Sequence, residues 1–468
     1  MRLGWGLLAA VLVAATAAGG SADARTCRIH AERFYTHPEL GAVRYCVAHR
    51  AERSTTRGNL FLALWKSSGN PNALMILTRD GRLVWYRIAR TGVRDLKVVR
   101  YRGRRMLAYF EWGTRAYSLL DDRYREVGRV RTAHVLTDMH ELQLTSHGTA
   151  YIGSYHNRLL GGTFVRDYTV QEVDVATGKV LFEWTAGDHV PLSDSYEPRS
   201  LPSKPWDFFH GNSIAPPTAD DPTIIVSARN TSSVYGIDRR TGRIRWILGG
   251  KRDQFGLRRH PGWRFCGQHD ARRADGGITL FDNGTRAGCP THAARALRFR
   301  LDPAHGRAEL VQSLSSAIVD GFGYYPWGLG SVRSLPGGHT LVSWGSIPRV
   351  TEQTPSGHVV FDVRLRSNTY RAVRSVWYGR PAEPPLVAAR HRGAGTDVWA
   401  SWNGATNVHS WRVLAGPAPD RLQRVEPRAR WADLETAIRL RTRPAYVAVR
   451  ALNDHGHILG ASAPTKVR

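Results

Sequence analysis

Three histidines, His140, His210 and His269, open three successive stretches of similar design. The stretches are HELQLTSHGTAYIGSY, HGNSIAPPTADDPTIIVSAR and, one residue earlier, QHDARRADGGITLFDNG. A fourth, GLGSVRSLPGGHTLVSWGS, has Gly328 at the same register. If each is an antiparallel hairpin, the end of its second strand lies beside the start of its first. Those ends are Tyr155, Arg229, Asn283 and Ser346. Arg229 is then set next to His210, and Asn212 shares His210's strand face because i and i+2 point the same way. A lone histidine at a strand start is more often a capping or packing residue than a reactive one. Three at one register, with an arginine and an asparagine, point to a site.

A three-histidine zinc or iron centre is one chemistry for such a set. Carboxylates follow two of the histidines, in His140-Glu141 and His269-Asp270. Strand alternation is expected to turn both onto the opposite face, leaving no acid facing the histidines. Arg229 also repels a cation. An anion fits better, since arginine offers a planar fork to a tetrahedral oxyanion while asparagine and histidine donate hydrogen bonds. Nearby cations keep imidazole neutral, and a neutral ring nitrogen held against an oxyanion is a nucleophile. The expectation is a site with no metal and no cofactor.

The elements that carry these residues repeat. MILTRDGRLVWYRI (75–88), YSLLDDRYREVGRV (117–130), QEVDVATGKVLFEW (171–184), VYGIDRRTGRIRWIL (234–248), LRFRLDPAHGRAELV (297–311) and EQTPSGHVVFDVRL (352–365) are each strand, turn, strand. Their turns fall at Gly81, Arg123, Gly178, Gly242, Gly306 and Gly357. A second hairpin precedes the better-marked copies, so each unit is a four-stranded antiparallel blade. The fold class expected is all-β: a six-bladed β-propeller over residues 51–378. After WYGRPAEPP the repeat stops, and residues 379–468 alternate like a fibronectin type III-like β-sandwich. Within that region WADLETAIRL reads as one short helix or strand.

MRLGWGLLAAVLVAATAAGGSADA has the charged start, apolar run and Ala22-Asp23-Ala24 ending of a secretory signal, residues 1–24. The expected destination is outside the cytoplasm, with an uncleaved anchor as the minor alternative. Export suits disulfides. Four cysteines allow three pairings; the economical one is Cys27–Cys46, in an N-terminal segment over 25–50, and Cys266–Cys289.

A formal charge of +27 raises the question of nucleic acid. The arginines are dispersed through strands and turns, with no recognition helix, RNP-like motif or basic tail, so nucleic acid is not an expected partner. The charge still favours anionic small molecules or an anionic cell surface.

DMHELQ (138–143), WDFFHGNS (206–213), IIVSARNTSSVYGIDRRTGRIRWILGGKRDQF (224–255) and QHDARRADGGITLFDNG (268–284), in this order, resemble the arylsulfotransferase family. The resemblance covers most of residues 50 to 380 and is to the shorter, secreted branch. It implies a six-bladed propeller that moves a sulfuryl group from an aryl sulfate to a phenol, with no nucleotide sulfate donor, through a sulfo-histidine. By motif position it makes His269 the nucleophile and gives oxyanion-binding and acid/base roles to His140, His210, Asn212 and Arg229. Tyr155, Asn283, Trp206 and Phe209 are the further substrate-binding candidates, with Phe208 and Trp344 also near the expected mouth. Two other classes stand beside this one: a metal-dependent propeller hydrolase of lactonase type, and a non-catalytic propeller that binds an anionic ligand or partner.

Overall fold

The computed structural model describes residues 30–51, 54–65, 71–199, 201–285 and 291–468. The chain is all-β, with a four-residue α-helix, Ala317–Asp320, the longest helical element among the described residues. Val93–Tyr101, Arg104–Glu111, Ala116–Leu120 and Glu126–Val130 form one four-stranded antiparallel sheet. Thr137–Leu144, Thr149–Leu160, Thr163–Asp174 and Val180–Thr185 form the next. The pattern recurs from Gly211–Ala215 to Ile244–Gly249 and from His269–Ala274 to Arg307–Ser315. It recurs again from Ser331–Ser334 to Val359–Leu365.

Another sheet joins the two ends of this array. Thr369–Ser375 pairs with Asn59–Leu64, which continues into Ala73–Leu77 and Leu83–Ile88. The innermost strands follow one another around a ring, and Thr369–Ser375 touches both Ser331–Ser334 and Val93–Tyr101. The architecture is propeller-like.

Burial explains the sequence pattern. Middle strands such as ALMIL (73–77) and TIIVSA (223–228) are buried at every position, because a neighbouring sheet covers each face. The outer strand Val180–Thr185 alternates, with one side facing solvent. Between the sheets lies an aromatic-rich core; one part of it stacks Tyr168, Trp184, Phe208, Phe209 and Tyr235.

The outer hairpins lie where the repeats predict them. Gly81, Gly178, Gly242, Gly306 and Gly357 all have left-handed φ, which a residue without Cβ adopts freely. In the 117–130 hairpin the turn was expected at Arg123, but the left-handed residue is Tyr124, at φ 64°. Packing offsets that strain: the Tyr124 ring stacks on Trp85 at 4.7 Å, and its hydroxyl donates to the Gly404 carbonyl at 2.7 Å.

Val43–Arg50 adds a further strand outside Val359–Leu365, and His30–Glu32 pairs with it in turn. Neither Cys46 nor Cys266 is a free thiol. Cys27 and Cys289, their expected partners, lie outside the described residues, as does the 1–24 signal. No helix among the described residues is long and apolar enough to cross a membrane.

Residues beyond 385 build a sheet of Leu386–Arg392, Gly395–Ser401 and Glu435–Leu440 and a second sheet around Ser410–Gly416 and Tyr446–Leu452. WADLETAIRL thus contains a strand, with Ala437 on the buried partner Trp399. This unit seals the outer edge of the ring-closing sheet. Asn403 accepts from the Tyr86 N–H at 3.0 Å and donates to its carbonyl at 2.9 Å, as a neighbouring strand would.

Candidate active site

Five inner strands share a defect that shapes the site, while Ser331–Ser334 pairs in unbroken register. Register breaks between Arg94 and Lys97, Thr137 and Leu142, Gly211 and Ser213, His269 and Arg272, and Thr369 and Ala372. Each break is at the strand's entry. Asp95, His210 and Asp270 take left-handed φ there, at 55°, 56° and 60°. Such bulges re-aim side chains and suspend the alternation of faces. Adjacent residues can then both reach the centre of the ring.

His140, His210 and His269 do converge. The His140 and His210 rings are 5.2 Å apart edge to face, and Tyr370 packs edge-on against His140 at 5.4 Å and His269 at 6.3 Å. The expected strand-end pairings hold. The Arg229 N–H donates to the His210 carbonyl at 3.0 Å, and the Ser346 N–H donates to that of Gly328 at 3.1 Å. Tyr155 lies 6.0 Å from the His140 ring, and Asn283 touches His269.

One hydrogen-bond chain sets the tautomer of His269. Asn283 gives its amide N–H to the Leu329 carbonyl at 3.1 Å, so its oxygen faces His269 Nδ1 at 2.8 Å. That oxygen only accepts, so Nδ1 carries the proton and Nε2 keeps its lone pair. The Leu329 N–H, on a residue with φ 66°, reaches Nε2 at 3.3 Å. Burial, followed by the Arg229 charge, holds His269 well below the usual histidine range. The ring is neutral, and its Nε2 lone pair accepts from the Leu329 N–H.

The histidines are not free of acids, contrary to the sequence expectation. Asp138 Oδ2 lies 2.6 Å from His140 Nδ1, and Asp207 Oδ2 lies 2.5 Å from His210 Nδ1. These carboxylates come from residues preceding the histidines, through D-x-H and D-x-x-H spacings the sequence displays. Burial lowers His210 despite Asp207; burial would raise Asp207, but His210 holds it below the ordinary range.

Glu141 and Asp270, expected to face away, instead turn inward onto Arg371 beneath the histidines. Arg371 pairs with Asp270 at 3.0 Å, Asp95 at 3.1 Å and Glu141 at 3.2 Å. Lys97 pairs with Asp95 and Glu141, Arg272 with Glu141 and Asp270, and Arg333 with Asp270. The bulges put these side chains there. Neither Tyr370 nor Arg371 was a candidate from sequence, because their strand pairs across the chain's two ends and carries no histidine.

Asn212 does not share His210's open face. The bulge at Gly211 rotates it into the wall, where it donates to the Gln268 carbonyl at 2.8 Å. Phe208, Phe209 and Trp344 are fully buried core residues, and Trp206 is buried too. Tyr155 alone of the expected aromatics touches the histidines. Trp327 is exposed, and its backbone carbonyl accepts from Arg229 at 2.9 Å. Among the described residues, no group of three or more His, Cys, Asp or Glu converges in a way that would hold a metal ion.

No curated protein matches the chain. Among solved structures it is similar to a protein of unknown function from Bacteroides caccae, at 13% identity and TM-score 0.42, covering 68% of this chain and 100% of that one. It is similar also to a functionally unknown protein from Desulfotomaculum acetoxidans, at 10% identity and TM-score 0.39, covering 69% and 99%. A third is the Cps50 (Swd1) β-propeller domain of Myceliophteria thermophila, at 11% and 0.36, covering 71% and 88%. A family model described as arylsulfotransferase (ASST) matches residues 95–366, more than half of the chain and the whole span that carries the three histidines, and the chain belongs to that family.

Proposed function

We propose that this protein is an aryl-sulfate sulfotransferase that moves a sulfuryl group from an aryl sulfate to a phenol through a sulfo-histidine on His269. The observation that carries the reading is the neutral His269 ring: Nδ1–H on Asn283 leaves Nε2 unprotonated, held at rest only by the Leu329 N–H, with the Arg229 charge and two further histidines acting on the ring. We read the framework as a six-bladed propeller over residues 51–378 with a fibronectin type III-like sandwich over 379–468. We place the protein outside the cytoplasm, after a signal over 1–24 and a stapled segment over 25–50.

In the first half-reaction Nε2 attacks sulfur and the bond from sulfur to the aryl oxygen breaks, its electron pair leaving on the phenoxide. A loose transition state spreads charge over the sulfuryl oxygens. Arg229 supplies a planar fork to them, and His210, its Nδ1–H held by Asp207, borders the same space. His140 protonates the phenoxide, and Asp138 stabilises the imidazolium that makes this proton available. In the second half an incoming phenol loses its proton to His140 and its oxygen attacks sulfur, while the N–S bond breaks and returns its pair to Nε2. Asn212 acts through the wall it buttresses, and Tyr155 borders the ring-binding space.

The test is direct. Incubated with p-nitrophenyl sulfate and no acceptor, the enzyme should gain one sulfuryl mass on the peptide containing His269. His269→Asn should lose both the adduct and turnover with phenol. A label on His140 or His210, or absence of any turnover in the intact enzyme, defeats this reading.

A further inference from the structure

We infer that Arg371 is a positioning residue, whose one guanidinium fixes the spacing of the three strands that carry His140, His210 and His269. The inference rests on the sulfuryl-transfer reading for its chemistry and on the ion-pair geometry for its substance. Arg371 stands on Thr369–Ser375, the strand that closes the ring, and its side chain is fully buried. Its three nitrogens reach four different strands. Nε pairs with Asp270, the residue after His269, at 3.0 Å. Nη2 pairs with Glu141, the residue after His140, at 3.2 Å. The same nitrogen donates to the carbonyl of Asn212, two residues after His210, at 2.9 Å. Nη1 holds Asp95 on the remaining strand at 3.1 Å.

A guanidinium is planar and its nitrogens are fixed relative to one another. Apart from Asp95, every contact just named is to the residue next to a histidine or one further on, so little backbone lies between gauge and catalyst. Tyr370 adds a second constraint from the same strand. Its hydroxyl donates to the Asn212 carbonyl at 2.9 Å while its ring lies against His140 and His269.

The charges support an ionised cluster. Asp95, Glu141 and Asp270 face Lys97, Arg272, Arg333 and Arg371, three acids against four bases, which leaves one positive charge under the site. Burial opposes ionisation of Glu141 and Asp270, yet the surrounding cations, Arg272 foremost, hold both below the usual carboxylate range. The excess positive charge lies beneath the histidines, opposite the Asp138 and Asp207 carboxylates that face two of them.

Arg371→Lys keeps the charge and loses the fork. Arg374→Lys is the matched control. Arg374 is buried on the same strand, but its ion pair at 2.9 Å runs to Glu352 and its hydrogen bond to the Gly58 carbonyl. Both variants are expected to melt at lower temperature. Only Arg371→Lys should slow formation of sulfo-His269 per folded molecule, by about 10²-fold, the scale of a misplacement of about 1 Å. Glu141→Gln removes one arm and should give the same pattern, so it serves if Arg371→Lys does not fold. A second readout does not need activity: imidazole nitrogen NMR of histidine-labelled protein should show His140 and His269 displaced by Arg371→Lys and not by Arg374→Lys. Loss of sulfo-histidine in the unmutated enzyme would remove the chemical reading and leave this spectral comparison standing. Unmoved histidine resonances, or activity that follows only the folded fraction in both Arg371→Lys and Glu141→Gln, would overturn the proposal.

Discussion

The side-chain oxygen of Asn283 lies 2.8 Å from Nδ1 of His269 and decides which nitrogen of that ring can react. Because burial and Arg229 keep His269 neutral, its ionisation should impose no acid limb on activity near neutral pH. Asn283→Asp replaces a neutral acceptor with an anion, which favours imidazolium. An acid limb should then appear in kcat/KM, displaced upward by about 1–3 pH units relative to the unmutated enzyme. A profile from pH 5 to 9 that does not move would show that Asn283 does not control the ring.

The same groups make stability fall with acidity. His210 and His269 both have folded-state pKa values lowered by burial. The unfolded chain therefore binds protons more readily, so their contribution is complete above about pH 6.5 and is lost as pH drops below it. Asp207 is also depressed, and its contribution fades in a lower window, below about pH 4. The melting temperature should decline between pH 7.5 and pH 5.5, and His269→Asn should flatten that decline. An equal slope in the two proteins would remove His269 from the account.

Arg229→Lys retains one positive charge and loses the planar fork that the proposed mechanism sets against the sulfuryl oxygens. Sulfo-histidine formation should slow by roughly 10²–10³, the scale of removing one oxyanion donor. Single-turnover release of p-nitrophenol measures it. A rate within a factor of about three of the parent would mean that charge alone suffices, with no role for the fork.

The sequence displayed its repeats because each outer hairpin needs a left-handed turn, and glycine marks that turn in most of them. It displayed the histidine register for a related reason: antiparallel pairing fixes which residues are neighbours, and His210–Arg229 and His269–Asn283 followed. What it hid came from the bulges. Alternation predicted that Glu141 and Asp270 would face away and that Asn212 would face in; the extra residues at the strand entries, three before Leu142 and one each before Ser213 and Arg272, reversed both. Tyr370 and Arg371 were hidden differently, since their place depends on pairing between Thr369–Ser375 and Asn59–Leu64, distant in sequence. Phe208, Phe209 and Trp344 show the limit of composition: an aromatic near a site in sequence can still belong to the core.

Chelation should not affect turnover. Arg229 puts positive charge beside the histidines, and among the described residues no group of three or more His, Cys, Asp or Glu is arranged to hold a metal ion. Enzyme dialysed against a strong chelator should retain its rate with p-nitrophenyl sulfate and phenol. Loss of activity restored by zinc or iron would favour the metal-dependent hydrolase class instead.

Asn403→Ala should destabilise the chain without changing the rate per active site. It deletes two hydrogen bonds to Tyr86 and leaves an edge strand unpaired, at a cost of about 1–3 kcal/mol. A thermal scan beside a specific-activity measurement separates the two effects. A fall in specific activity with unchanged melting would indicate that the C-terminal unit communicates with the site.

Ring closure by Thr369–Ser375 also has a consequence in time. A ribosome makes His140, His210 and His269 well before it makes Tyr370 and Arg371, the residues that floor the cluster and tie its strands together. A growing chain thus carries all three imidazoles from residue 269 onward but lacks, until residue 371, the side chains that tie their strands together. On the proposed function, a nascent chain interrupted before that strand should form no sulfo-histidine, however many of its histidines are already made.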